Sequence, residues 1–255
     1  MTRDERRKAA ARALPLVDLT DLTETCNHEA IDRLCARAQT PHGPVGAICI
    51  WPRFVAHAHG QLSGSDIPIA TVVNFPGGDT DEVQTLTETR EALRDGADEI
   101  DLVAPYRALR AGDRDAFVLM IRAVAHEIGD QGKLKVIIES GQLESADLIR
   151  LASDLAIEAD ADFIKTSTGK VPVNATPQTA EIMITAIKES GRPVGFKPAG
   201  GVKTTEDTAA YLAIADRIMG PGWVSPNTFR FGASGVLDDL LAALDGGASI
   251  SREGY

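Results

Sequence analysis

The strongest constraint on the fold is an alternation. Eight short apolar segments, each followed by a helix-like segment, occupy the 255 residues in order. LVDLT (16–20), VGAICIW (45–51), IPIATVVNF (67–75), EIDLVAP (99–105), KLKVIIES (133–140), DFIKTSTG (162–169), VGFKPAG (194–200) and TFRFGAS (228–234) read as strands. The intervening segments 28–39, 53–62, 80–95, 114–128, 144–159, 177–190, 204–218 and 235–244 read as helices. Ile31, Leu34, Cys35 and Ala38 repeat at helical spacing, as do Val83, Leu86, Thr87, Arg90 and Leu93. Apolar strands alternating with helices indicate a parallel sheet flanked by helices. Eight such units in a chain of about 250 residues fit a closed (β/α)8 barrel, here one domain over residues 1–255. The competing architecture is an open doubly wound sheet, which places a glycine-rich turn after its first strand. Here that strand runs into Asp21-Leu22-Thr23, without glycine. The start, MTRDERRKAAARAL, reads as a short amphipathic helix without the apolar core of a signal peptide. Gly246-Gly247 opens a polar tail, SREGY, expected to be mobile.

Composition removes several functions. A net charge of −11 disfavours a nucleic-acid partner. No apolar run approaches the length of a membrane span. The three cysteines, Cys26, Cys35 and Cys49, are odd in number and lack a CxxC spacing, which argues for a reducing cytoplasm rather than a disulfide framework. The five histidines form no ligand pattern, so no metal site is expected.

The chemistry gathers in strands. In ADFIKTSTGK (161–170), alternation puts Phe163, Lys165 and Ser167 on one face, with Lys165 where a core residue belongs. A buried lysine must pair, neutralise or react. As a neutral amine it attacks carbonyls to form Schiff bases; as an ammonium it is a structural ion-pair member. Asp101 in EIDLVAP and Lys197 in VGFKPAG are similarly placed among apolar neighbours. Two lysines about 6 Å apart at an effective dielectric near 20 repel by about 3 kcal/mol, or roughly two pK units. That favours one neutral amine, and an aspartate within reach could carry protons. The trio supplies nucleophile, electrostatic tuner and proton carrier for chemistry at a carbon–carbon bond beside a carbonyl. The loops after strands seven and eight of such barrels often hold phosphate. Gly200-Gly201 and FGASG (231–235), with the Ser234 hydroxyl, stand there, and Thr168 and Lys170 could reach the same anion. TSTGK lacks the first glycine of a P-loop.

KTSTGK (165–170), VGFKPAGG (194–201), TVVNFPGG (71–78), EIDLVAPYRAL (99–109) and FRFGAS (229–234) together resemble the deoxyribose-phosphate aldolases, over nearly the whole chain. The resemblance implies a (β/α)8 class I aldolase that reversibly cleaves 2-deoxy-D-ribose 5-phosphate into acetaldehyde and D-glyceraldehyde 3-phosphate. It implies neither metal nor cofactor, and only small phosphosugar and aldehyde partners; a homodimer is compatible with it. It assigns the Schiff base to Lys165, the proton relay to Asp101 and Lys197, and phosphate contacts to Gly200, Gly201, Gly232 and Ser234. Some members end in a tyrosine that helps move the C2 proton, which makes Tyr255 a candidate. Cys49 matches a cysteine near the substrate in the family, although a buried cysteine is more often a packed core residue. Asp18 and Thr20, ending strand one, are expected to line the pocket. Glu139 either joins the polar network or pairs with Lys135. The chain departs from several members at Gly235, where they carry a second serine. The alternatives are another phosphosugar class I aldolase or transaldolase, and a non-catalytic barrel that binds a phosphometabolite.

Overall fold

The computed structural model describes residues 1–249. Within them, eight strands form one parallel sheet: β1 (Val17–Asp21), β2 (Ala47–Ile50), β3 (Ile69–Val73), β4 (Glu99–Val103), β5 (Lys133–Ile137), β6 (Phe163–Lys165), β7 (Gly195–Lys197) and β8 (Phe231–Ala233). Each strand pairs with the next in sequence, and β8 pairs with β1. Parallel bridges Phe196↔Phe229 and Ala199↔Gly232 join β7 to the β8 segment and close the barrel. A closed sheet leaves no edge to aggregate, and its alternate side chains fill the interior.

Among the described residues, eleven α-helices accompany the strands: α1 (Arg3–Ala13), α2 (His28–Ala38), α3 (Val55–Gln61), α4 (Glu82–Arg94), α5 (Tyr106–Arg110), α6 (Arg114–Ile128), α7 (Ser140–Leu143), α8 (Ala146–Glu158), α9 (Pro177–Ser190), α10 (Thr205–Met219) and α11 (Val236–Leu244). Small polar residues mark many of their starts. Asn27, Asp81, Asp113, Ser145, Thr176 and Thr204 each accept a backbone N–H from the first turn, satisfying donors the helix cannot pair internally. α1 packs against α10 and α11, burying Arg6, Ala10 and Ala13 on one face. No helix among the described residues is long and apolar enough to cross a membrane.

The expected elements are present, with instructive differences. The α2 stripe of Ile31, Leu34, Cys35 and Ala38 is buried as the spacing predicts. In α4 the buried face is instead Thr85, Thr89 and Ala92, and Val83 is 77% exposed. The threonines tolerate burial because Thr85 and Thr89 donate their hydroxyls to the carbonyls four residues back, both at 2.8 Å. The strands are shorter than their apolar runs: residues 166–169 leave the ladder, and after Lys197 only Ala199 still pairs, through its bridge to Gly232. Two short helices, α5 and α7, follow β4 and β5 where the sequence suggests only loop. The SREGY tail, with Tyr255, lies outside the described residues.

Candidate active site

In a barrel of parallel strands, the reactive groups gather at the C-terminal strand ends. Lys165 and Lys197 are the last residues of β6 and β7 and stand in register with each other. Both ammonium groups converge on one oxygen of Asp101, whose Oδ2 lies 2.6 Å from Lys165 Nζ and 2.8 Å from Lys197 Nζ. Lys197 also reaches Asp18 Oδ2 at 2.5 Å. Lys197 and Asp101 are completely buried, whereas Lys165 keeps 3% exposure, so of these three it is the one that opens toward the mouth. Burial alone would raise the Asp101 carboxyl; Lys135, Lys165 and Lys197 outweigh that and hold it well below the usual carboxylate range. Burial alone would lower the Lys197 amine, but Asp101 and Asp18 push it upward, so it remains a cation. Asp18 is likewise held down, against burial, by Lys197, Arg230 and Lys135. The three residues singled out in the sequence therefore meet, and Asp18 meets them within the core.

Beside the charges lies a small apolar patch. Leu22, Cys49, Ala70 and Val72 form a cluster of their own, walled by Trp51 and Phe75. Val72 stands in register with Asp101, and Cys49 with Thr20 and Ala70. Burial pushes the Cys49 thiol up, which leaves a neutral, unreactive group. Thr20 is buried, with its hydroxyl donating to the Asp18 carbonyl at 2.8 Å. The Trp51 and Phe75 rings meet edge to face at 5.5 Å, and Trp51 donates its Nε1–H to the Thr23 carbonyl at 3.0 Å.

The loops after β7 and β8 are tied together. Gly200 and Gly201 have φ of 79° and 87°, a region that favours glycine. The Gly200 N–H donates to Gly232 O at 3.4 Å, and the Gly232 N–H donates to Pro198 O at 2.9 Å. Those two amides thus tie the loops to each other. Gly232 has a packing reason as well: a Cβ there would sit 3.1 Å from Lys197 Cε and 2.9 Å from Ala199 Cβ. Ser234 Oγ, by contrast, is buried without a hydrogen-bond partner. Thr168 donates to Glu139 Oε2 at 2.6 Å, and Lys170 Nζ donates to the Leu22 carbonyl at 2.8 Å. Glu139 therefore belongs to the Thr168 loop. It does not pair with Lys135, which contacts Glu99 and Asp101 on the neighbouring strand. Burial raises the Glu139 carboxyl, against the pull of Thr168.

A cavity of about 710 Å³ opens at the opposite end of the barrel against Pro15, Gly46, Asp98, Lys133, Asn227 and Arg230. It lies at the N-terminal strand ends, the face that usually serves stability rather than catalysis.

A family model of DeoC/LacD family aldolases matches residues 12–234. The chain belongs to the DeoC/LacD aldolase family. It is 56% identical over 243 residues to the deoxyribose-phosphate aldolase of Agrobacterium fabrum, spanning 94% of this chain and 93% of that one. Its fold superposes on a crystal structure described as a candidate deoxyribose-phosphate aldolase from Toxoplasma gondii with a TM-score of 0.85, at 25% identity and 96% coverage of each chain. A deoxyribose phosphate aldolase from Aeropyrum pernix, 22% identical, shares the fold with a TM-score of 0.75, over 93% of this chain and 91% of that one.

The sequence reading of this aldolase missed Glu99, Lys135 and Arg230 as members of the charged interior. All three are buried and ion-paired. The signal was available: alternation in KLKVIIES places Lys135 inward, and Arg230 stands between two core phenylalanines, Phe229 and Phe231.

Proposed function

We propose that this chain reversibly cleaves 2-deoxy-D-ribose 5-phosphate into acetaldehyde and D-glyceraldehyde 3-phosphate through a Schiff base on Lys165. Family membership and the 56% identical relative support the reaction. The observation that carries the assignment of the nucleophile is the number of carboxylates around each lysine. Lys165 contacts Asp101 alone, Lys197 contacts Asp101 and Asp18, and Lys135 contacts Glu99, Asp101 and Asp18. Freeing Lys165 from its proton therefore breaks the fewest ion pairs, and of these three lysines it is the one that keeps some exposure.

The neutral Lys165 amine adds to the C1 carbonyl of the open-chain sugar. Loss of water yields an iminium ion. Asp101, with Lys197 beside it, removes the proton of the C3 hydroxyl through a water. The C2–C3 bond then breaks, its electron pair moving into the iminium to leave a two-carbon enamine on Lys165. Glyceraldehyde 3-phosphate departs, the enamine takes a proton at C2, and hydrolysis releases acetaldehyde and the amine. The patch of Leu22, Cys49, Ala70 and Val72 is suited to the two-carbon unit, which has no polar group beyond its imine.

The phosphate is met at the mouth by Ser234, whose Oγ lacks a protein partner, and by the Gly201 turn, where a side chain would meet open space. Gly200 and Gly232 shape these loops, and Thr168 and Lys170 border them. Tyr255 is the proposed carrier of the C2 proton; deleting it slows acetaldehyde C2 exchange in heavy water, and an unchanged exchange rate removes it from the mechanism. A cytoplasmic location fits the three free cysteines. A homodimer is the proposed assembly, with exposed Val83 and Leu119 as apolar side chains that such a contact could cover; a monomer by light scattering refutes it.

Acetaldehyde plus borohydride, followed by peptide mass mapping, tests the mechanism. The expected product is a reduced two-carbon adduct on Lys165. Labelling of another lysine alone, or none, overturns it.

A further inference from the structure

The charged interior is a closed ring with one pendant group. Asp101 Oδ1 lies 3.2 Å from Lys135 Nζ. Lys135 in turn contacts Glu99 Oε2. Glu99 Oε1 lies 3.0 Å from Arg230 Nη2, and Arg230 Nη1 lies 2.7 Å from Asp18 Oδ1. Asp18 Oδ2 meets Lys197 at 2.5 Å, and Lys197 returns to Asp101 Oδ2 at 2.8 Å. Three carboxylates and three cations thus alternate around the circuit. Each carboxylate turns one oxygen to each of its two ring neighbours, and Lys135 also lies 3.9 Å from Asp18 Oδ2 across the ring. Fully ionised, the ring is neutral. Lys165 is the seventh group, attached only through Asp101 Oδ2.

We propose that Lys135, Glu99 and Arg230 are positioning residues for the aldolase reaction: they complete a neutral ring that orients Asp101 toward Lys165 and leaves the Lys165 proton as the one the site can release. This rests on the reading of Lys165 as the nucleophile. None of the three lies at the mouth. Lys135 is completely buried, and Glu99 and Arg230 are 2% exposed. Lys135 faces Asp101 Oδ1 as an ion pair at 3.2 Å without a hydrogen bond, while Oδ2 accepts from both Lys165 and Lys197. A buried Lys–Glu pair adds little stability over apolar packing; its worth here is in orientation and in charge count. Arg230 also donates to the Gly46 carbonyl at 3.1 Å and the Pro226 carbonyl at 2.5 Å, anchoring the ring to the barrel floor. The other ionisable groups facing Lys165 are Glu139 at the end of β5, whose carboxyl feels the Lys165 charge, and Cys49 on β2. Cys49 also faces the ring cation Lys197.

The ring makes a signed prediction. Lys135→Met leaves three carboxylates against Lys197 and Arg230, so Lys165 becomes the needed counter-ion. Glu99→Gln leaves a cation in excess, so Lys165 sheds its proton more readily. The pH midpoint of imine trapping with acetaldehyde should therefore move up in Lys135→Met and down in Glu99→Gln. Shifts of about one unit are expected for a charge several ångströms away at an effective dielectric near 20. The double variant should return the midpoint toward that of the parent while turnover stays reduced at least tenfold, because Asp101 has lost its brace. The double variant removes an ion pair as a unit, so it remains testable if a single variant does not fold. Unmoved midpoints in the folded single variants, or parental turnover in the double variant, overturn the proposal. If the parent chain fails to trap acetaldehyde on Lys165, the assignment of the nucleophile falls instead.

Discussion

Two buried ionic clusters differ in construction. Outside the barrel, Asp239 on α11 binds Arg6 on α1 through both oxygens at 2.9 Å. Thr205 adds its N–H at 2.7 Å and its hydroxyl at 2.6 Å, and Ser249 its hydroxyl at 2.7 Å. Among the described residues, that carboxylate meets one cation and several neutral donors. Inside the barrel, the partners of Asp101 are three ammonium groups. Arginine keeps its charge under all working conditions and binds carboxylate as a fixed fork, while lysine can lose a proton. The outer cluster is therefore a fastener, and the inner one keeps a mobile proton close to a carboxylate. Burial is common to both. What separates them is whether a cation can be discharged and whether neutral donors can take over its work.

Removing the outer carboxylate should produce the largest effect and confine it to stability. Asp239→Ala leaves Arg6 without its main partner and the Thr205 donors unsatisfied, which costs about 3–5 kcal/mol for a buried pair broken on one side. At roughly 2–4 °C per kcal/mol for a chain of this size, the melting temperature should fall by about 10 °C. Turnover per folded molecule, measured well below that temperature, should equal that of the parent. A large loss of turnover with an unchanged melting temperature would reverse the roles of the two clusters.

The matching change inside the barrel should act on rate. In Lys197→Leu, Asp101 keeps Lys135 and Lys165, and Asp18 keeps Arg230, so the barrel remains folded. Turnover should fall at least a hundredfold, in the range for lost acid–base and electrostatic help. Lys197 is held as a cation by Asp101 and Asp18, so its removal takes away a positive charge beside Lys165. A carbonyl-attacking amine at Lys165 then has to be generated at higher pH, and imine trapping should shift that way. A hundredfold loss with an unshifted profile would make Lys197 a proton carrier without a tuning role.

The contrast also shows what the sequence carries. Asp101, Lys165 and Lys197 were legible because each is a charge in an otherwise apolar strand, and periodicity gives the direction of its side chain. Their ring partners were harder to see. Glu99 opens its strand, where a charge is ordinarily solvated, and Lys135 joins the ring through its register with Asp101, a pairing that no local pattern shows. The α4 face was misread because a buried threonine hydroxyl is satisfied by its own helix, which leaves no apolar stripe to detect. Asp239 and Arg6 lie 233 residues apart in sequence, so no local pattern pairs them.

The smallest expected effect lies at the mouth, between the two clusters. Gly235 is the N-cap of α11, with φ −90°, ψ −16° and no side-chain cap. It follows Ser234, whose Oγ is buried and unpaired. A serine at 235 has two competing uses. It can accept an N–H from the first turn of α11, a cap worth about 0.5–2 kcal/mol in favourable geometry. It can instead donate to a bound phosphate, worth roughly 1.5–3 kcal/mol at best for a charged acceptor. The helical φ and ψ at this position differ from the extended backbone typical of a capping residue, which favours the second use. Gly235→Ser should therefore lower KM for the phosphorylated sugar by up to about tenfold, about 1.4 kcal/mol, while KM for free deoxyribose and the melting temperature barely move. A raised melting temperature with both KM values unchanged would mean that the hydroxyl caps the helix. An equal change in both KM values would place residue 235 away from the phosphate, and the anion would then depend on Ser234 and the Gly201 turn alone.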